Sequence, residues 1–148
     1  MALTMLDKQP VKAEKTAWPA EIVAEFEREK ENPNGCVGQR LLSENERVRV
    51  WEIRLKPGQR FGFHRHVLDY FWSVTTDGKA RAYVSDGSTV EHTYKAGETR
   101  HETHAKGHFK VHDLANIGDT DLNFITVEFL DSANKPLSVP DKVRVKGK

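Results

Sequence analysis

The feature that most limits the fold is the texture from residue 37 onward, where short β-prone runs are cut at close intervals by turn pairs. RVRVWEIRL (47–55) and LNFITVEF (122–129) alternate apolar with polar or charged residues, the period-two pattern of a half-buried strand. YFWSVTT, ARAYVS and TVEHTY lie between them. Pro57-Gly58, Asp77-Gly78, Asp86-Gly87, Ala96-Gly97 and Gly118-Asp119 supply the turns. Many short strands joined this way bury their apolar faces only against one another, so the chain reads as a β-sandwich or barrel. Both alternations slip phase midway, at Val50-Trp51 and Phe124-Ile125, and each slip reads as a bulge or a bend.

At 148 residues, with 37% hydrophobic and 30% charged residues, the chain fits one globular domain able to bury a core without disulfides. The formal net charge of +1, with both signs interspersed, argues against nucleic-acid and membrane partners and leaves a small molecule as the expected one. The single cysteine, Cys36, excludes an internal disulfide and a cysteine zinc cluster, and is expected as a small buried apolar residue. MALTMLDKQPVKAEK lacks the apolar core of a signal peptide and no stretch approaches transmembrane length, so the expected location is the cytoplasm.

Residues 1 to about 15 read as a loose polar leader. In WPAEIVAEFEREKEN, Pro19 suits a first helical turn, Glu21 its positive end, and Asn32-Pro33-Asn34-Gly35 a stop. Ile22, Val23 and Phe26 form a narrow apolar stripe with Glu25, Arg28 and Glu29 outside it. That is a short amphipathic helix laid on something larger, a structural flap or a dimer element. The boundaries expected are a leader and helix over 1–36, a β-domain over 37–135 and a tail over 136–148. An exposed strand edge makes a homodimer the expected assembly.

RHETHAKGHFKVH carries His101, His104, His108 and His112 at helical spacing. Gly107 stands in the middle, Phe109 and Val111 alternate after it, and strand-like segments flank the run. A turn between two strands is therefore expected, with the helical stripe accidental. HETH is not the zinc-protease motif, because its histidines are three apart rather than four. PGQRFGFHRH is more informative. On a strand His64 and His66 share a face and Arg65 points away, so two imidazoles can take adjacent positions around a divalent ion. Arg81 and Tyr83 also share a face. They would clamp a substrate carboxylate if it is interior, whereas small Ala80, Ala82 and Val84 suit the interior better.

Gly58, five intervening residues, His64-Arg65-His66 and a β-run to Gly78 resemble the first motif of the cupin family. His112, three intervening residues and Asn116 before IGDTDLNF resemble its second. The resemblance spans roughly residues 46–130 and implies an all-β fold, a cupin-type double-stranded β-helix or jelly-roll barrel with a short N-terminal helix. Position by position it implies His64, His66 and His112 as metal ligands pointing into the barrel. The family's usual glutamate would fall at Tyr70 or Phe71, and the nearest carboxylate, Asp69, comes one residue early and would face the other side of a regular strand. Four residues separate Gly107 from His112 rather than two, which leaves His104 or His108 as replacements or supports for it.

Three imidazoles without a carboxylate suit iron(II), nickel, copper or zinc rather than magnesium or calcium. Such a face resembles that of thiol dioxygenases and diketone-cleaving dioxygenases and implies a mononuclear iron(II) oxygenase acting on a small polar acid. The alternatives are a non-redox metal lyase, isomerase or hydrolase, and a cupin that only binds a small ligand. Tyr70 would donate a hydrogen bond to substrate or oxygen, or else serve as a barrel-wall aromatic. RVRVWEIRLKPG, HRHVLDYFW, VHDLANIGDT and VEFLDSANKPL together resemble a small group of bacterial cupins linked to β-alanine degradation, which would make the substrate a small amino or oxo acid.

Overall fold

The computed structural model describes residues 17–145 in full and the backbone of 10–12. Among the described residues ten strands form two antiparallel sheets of five. One is ordered β1 (Pro10–Lys12), β7 (Ser88–Tyr94), β6 (Gly78–Tyr83), β9 (Lys110–Asn116), β4 (Arg60–His66). The other runs β2 (Arg40–Glu44), β3 (Val48–Leu55), β10 (Leu122–Phe129), β5 (Asp69–Val74), β8 (Thr99–Glu102). The short alternating runs predict a sandwich or barrel, and its form is the jelly roll that the family resemblance implies. Most of the leader lies outside the described residues. Its backbone at 10–12 pairs with Ser88–Val90 of β7.

The two phase slips are not bulges. β3 and β10 pair without a break from Val48↔Phe129 to Leu55↔Leu122. Their inward residues are Arg49, Trp51, Ile53 and Leu55 on one strand, and Leu122, Phe124, Thr126 and Glu128 on the other. One half of the interior is apolar and the other polar, so the hydrophobic pattern changes phase while the backbone stays regular. Real register shifts fall elsewhere, between Leu41 and Ser43 of β2 and between Phe61 and His64 of β4.

The apolar half is a cluster of Ile53, Leu55, Trp72, Val74, Tyr94, Leu114, Leu122 and Phe124. The rings of Trp72, Tyr94 and Phe124 meet edge to face at 5.1–5.5 Å. At the open edge between the sheets, the Glu98 carboxylate accepts from Arg100 (2.7 Å) and lies 2.9 Å from His92 Nε2. That contact ties β7 to β8 across the sandwich.

The helix, α1 (Ala20–Glu31), begins after Pro19 and ends at Asn32, whose N–H reaches the carbonyls of Arg28 and Glu29. Trp18, Phe26, Ile22 and Val23 cover Phe63, Val111 and Tyr83 on the outer face of the first sheet. Beyond β10 the chain returns across β2, where Val145 N–H bonds Leu41 O and Arg144 pairs with Glu44. Cys36 sits half-buried beside Val37, Leu41 and Trp51, where burial raises its thiol pKa, as befits a packing residue. Among the described residues no helix is long and apolar enough to cross a membrane.

Candidate metal centre

β4 and β9 lie side by side, His64 opposite His112, and both face inward. His66 joins them from two residues further along β4. One ring nitrogen from each of His64, His66 and His112 lies within 4.8 Å of the other two, and His66 Nε2 and His112 Nε2 are 3.0 Å apart. Ligands about 2.0–2.1 Å from one ion stand roughly 3 Å apart on adjacent coordination positions, so this spacing suits a shared cation.

The protonation chemistry fits as well. His64 Nδ1 lies 2.8 Å from Gly62 O. A carbonyl only accepts, so Nδ1 carries the proton and Nε2 keeps its lone pair for a metal. His64 is 2% exposed, and burial lowers its pKa to about 4, which keeps the ring neutral at pH 7. The four histidines of RHETHAKGHFKVH separate: His101 lies on β8, His104 and His108 on the connection to β9, and only His112 joins the cluster. The connection is a glycine turn, with Gly107 at φ +82°.

Tyr70 occupies the wall where the family pattern would put a carboxylate. Its ring lies parallel to that of His66 at 4.1 Å, and His104 stacks along it at 6.1 Å. Burial raises the phenol pKa well above its usual 10, and Glu102 and Glu128 push it further, so Tyr70 stays protonated. Asp69 turns away from the cavity. Its carboxylate accepts the His104 backbone N–H at 2.9 Å, and its own N–H bonds Ser132, so it shapes the loop. Arg81 and Tyr83 face outward, Arg81 lying over the Tyr83 ring, while Ala80, Ala82 and Val84 face the cavity. Asn116 is 1% exposed. It donates to Leu55 O and Thr120 O and accepts from Gly118 N–H, fixing the turn after β9 and hence the register that brings His112 inward.

The cluster opens onto a cavity of about 80 Å³. Beside the histidines and Tyr70 it is lined by His92, Lys110 and Thr126, which the sequence reading did not single out, and its floor is the apolar cluster. Parity was the available signal, since Lys110 lies two residues before His112, and His92 lies between inward Val90 and Tyr94. Among the described lining residues there is no Asp or Glu.

Helix α1 reaches this site through its carboxylates. Glu29, 5% exposed, pairs with Arg65 at 2.8 Å and accepts the Asn34 N–H. Glu25 takes two bonds from Arg60 (2.8 and 3.0 Å) and one from the Phe63 N–H (2.7 Å). Burial would raise its pKa, but Arg60 and the Phe63 bond outweigh that and lower it. Both glutamates therefore turn toward the barrel rather than outward, as the apolar stripe alone suggested. Arg60 also bonds Asp113, which is fully buried under the helix and accepts the Tyr83 N–H.

The sequence matches no family model and no curated protein. Solved structures do match. A cupin domain from Bordetella pertussis Tohama I is 31% identical over 59% of this chain and 85% of that one, with a TM-score of 0.52. A protein from Bacillus halodurans covers 86% of this chain and 89% of its own at 18% identity and a TM-score of 0.51, a likeness of fold alone. A protein with a double-stranded β-helix domain from Klebsiella pneumoniae subsp. pneumoniae MGH 78578 is 25% identical over 59% of this chain and 66% of its own, with a TM-score of 0.46. The HRH strand, the His112–Asn116 strand and the two-sheet barrel thus coincide with 31% identity across most of the Bordetella domain, and the chain belongs to the cupin superfamily.

Proposed function

We propose that the protein is a metal-dependent enzyme, a mononuclear non-haem iron(II) dioxygenase that acts on a small polar acid. The observation that carries this reading is the convergence of three imidazoles on one cavity whose described lining includes no carboxylate. That donor set suits iron(II), zinc, nickel or copper and leaves coordination positions open. When bound, the ion supplies Lewis acidity and, as iron(II), the redox couple for oxygen chemistry. Both atoms of O₂ enter the product, so no external reductant is required.

The chain's own residues provide the rest. Lys110 brings a positive charge to the cavity wall, against which a substrate carboxylate settles. With no acidic residue among the described lining, a substrate ammonium would find no counter-charge. Of the amino and oxo acids suggested by the β-alanine-linked resemblance, the wall favours the oxo acid. The cavity, about 80 Å³ and partly open to solvent, suits a small substrate. Tyr70, held protonated, donates a hydrogen bond to an oxygen in the cavity, and the apolar floor excludes water.

The test is oxygen uptake by iron-loaded protein offered short oxo acids. The expected result is uptake in proportion to acid consumed, lowered about 10²–10³-fold in Tyr70→Phe, the usual cost of one preorganised donor, at unchanged iron content. Zinc-loaded native protein that converts such an acid without oxygen uptake would replace the dioxygenase with a non-redox lyase, isomerase or hydrolase. Protein that binds the acid but converts nothing would leave a ligand-binding cupin.

A further inference from the structure

We infer that Glu25, on the N-terminal helix, is a positioning residue for the histidine cluster, holding the β4 bulge that turns His64 into the barrel. The pairing of β4 with β9 steps from Phe61↔Leu114 to His64↔His112, three residues on β4 against two on β9. One extra residue reverses strand parity. Phe61 packs against the inner core; in a regular strand Phe63 would follow it inward and His64 and His66 would point out. With the bulge, Phe63 points out beneath Trp18 and Phe26, and His64 and His66 point in.

A bulge removes ladder partners, and buried backbone groups left without them cost free energy. Here they are met by the helix, the loop after it and His64 itself. The Phe63 N–H donates to Glu25 Oε2 at 2.7 Å, and Phe63 O accepts from Asn34 Nδ2 at 3.0 Å. Gly62 O faces His64 Nδ1 at 2.8 Å, the contact that sets the ring's tautomer. Arg60 holds the Glu25 carboxylate in place with two bonds and is itself held by Asp113. Gly62 leaves room for that carboxylate, since a Cβ there would stand 2.8 Å from Glu25 Oε2. The helix is thus continuous with the site through one carboxylate, one peptide unit and one imidazole.

The inference rests on the proposed metal site only for one of its two readouts. The first is the ring ¹⁵N spectrum of His64 in metal-free protein. Wild type is expected to show a single tautomer with Nδ1 protonated, and Glu25→Ala a mixture. The second is zinc affinity measured by competition, expected to fall about tenfold or more in Glu25→Ala, as for other residues that orient metal ligands. Gly62→Ala, which displaces the same carboxylate without removing it, is expected to reproduce both changes. Glu25→Gln keeps an oxygen for the Phe63 N–H and should restore the tautomer. Ile22→Ala loosens the helix elsewhere and should lower Tm while leaving both readouts unchanged. A wild-type tautomer and affinity in Glu25→Ala, or losses in Ile22→Ala equal to those in Glu25→Ala, would overturn the inference. Absence of zinc binding in wild type would overturn the metal reading, while the tautomer comparison would still decide this one.

Discussion

His64, His66 and His112 differ from the other histidines in their surroundings. Each faces the barrel interior, whereas His104 and His108 ride on a glycine turn. Replacing His112 by alanine is expected to remove most of the metal that wild type retains on purification, while His104→Ala and His108→Ala keep it. The reverse ranking by elemental analysis would mean that the second motif belongs to a different histidine. At this scale the sequence was informative where one residue fixes another's direction: the His64/His66 parity, and the Asn116 turn that sets His112. It was silent on His92 and Lys110, because an inward lysine and a solvated one look alike until the wall around them is known.

At the level of elements, helix α1 is joined to β4 and β9 by charge as well as by apolar packing. Asp113 lies under it with no exposed side-chain surface and neutralises Arg60. Asp113→Ala would leave the Arg60 guanidinium and the Tyr83 N–H without that partner. Glu25 still holds Arg60, so the expected loss is about 1–3 kcal/mol in denaturant unfolding, the usual cost of leaving a buried polar group unpaired, and a loss under about 0.5 kcal/mol would show that water reaches the gap. The helix and its ends were readable from Pro19 and the Asn-Pro-Asn-Gly stop. Its carboxylates were not, because a helix wheel sorts by hydropathy and places Glu25 and Glu29 with solvent. The β4 bulge was hidden for a related reason. It keeps both Phe63 and His64 buried on opposite faces, so the run FGFHRH shows no clean break in its pattern.

Across the whole molecule, the barrel interior divides into an apolar half and a polar half, and this division produced the false phase slips at Val50-Trp51 and Phe124-Ile125. Glu128 belongs to the polar half. It is 2% exposed, accepts from Trp51 Nε1 at 2.8 Å, and burial raises its pKa from 4.5 to about 7 despite that bond and Arg49. Between those values the folded state binds more protons than the unfolded state, so this group's contribution to stability falls as pH rises through the window. At about 1.4 kcal/mol per pH unit the effect is on the order of 3 kcal/mol. The stability of Glu128→Gln relative to wild type should therefore improve from pH 5 to pH 8 by an amount of that order, and a flat difference would show Glu128 ionised throughout.

The claim on which the rest depends is that imidazoles from two neighbouring strands hold one ion inside this barrel. Anaerobic equilibrium dialysis of metal-free protein against iron(II), followed by elemental analysis, tests it directly. One equivalent per wild-type chain is expected, with none in the His64→Ala/His66→Ala/His112→Ala variant at an unchanged circular dichroism spectrum. Iron-free wild type, or a triple variant that binds as much iron, would contradict the account.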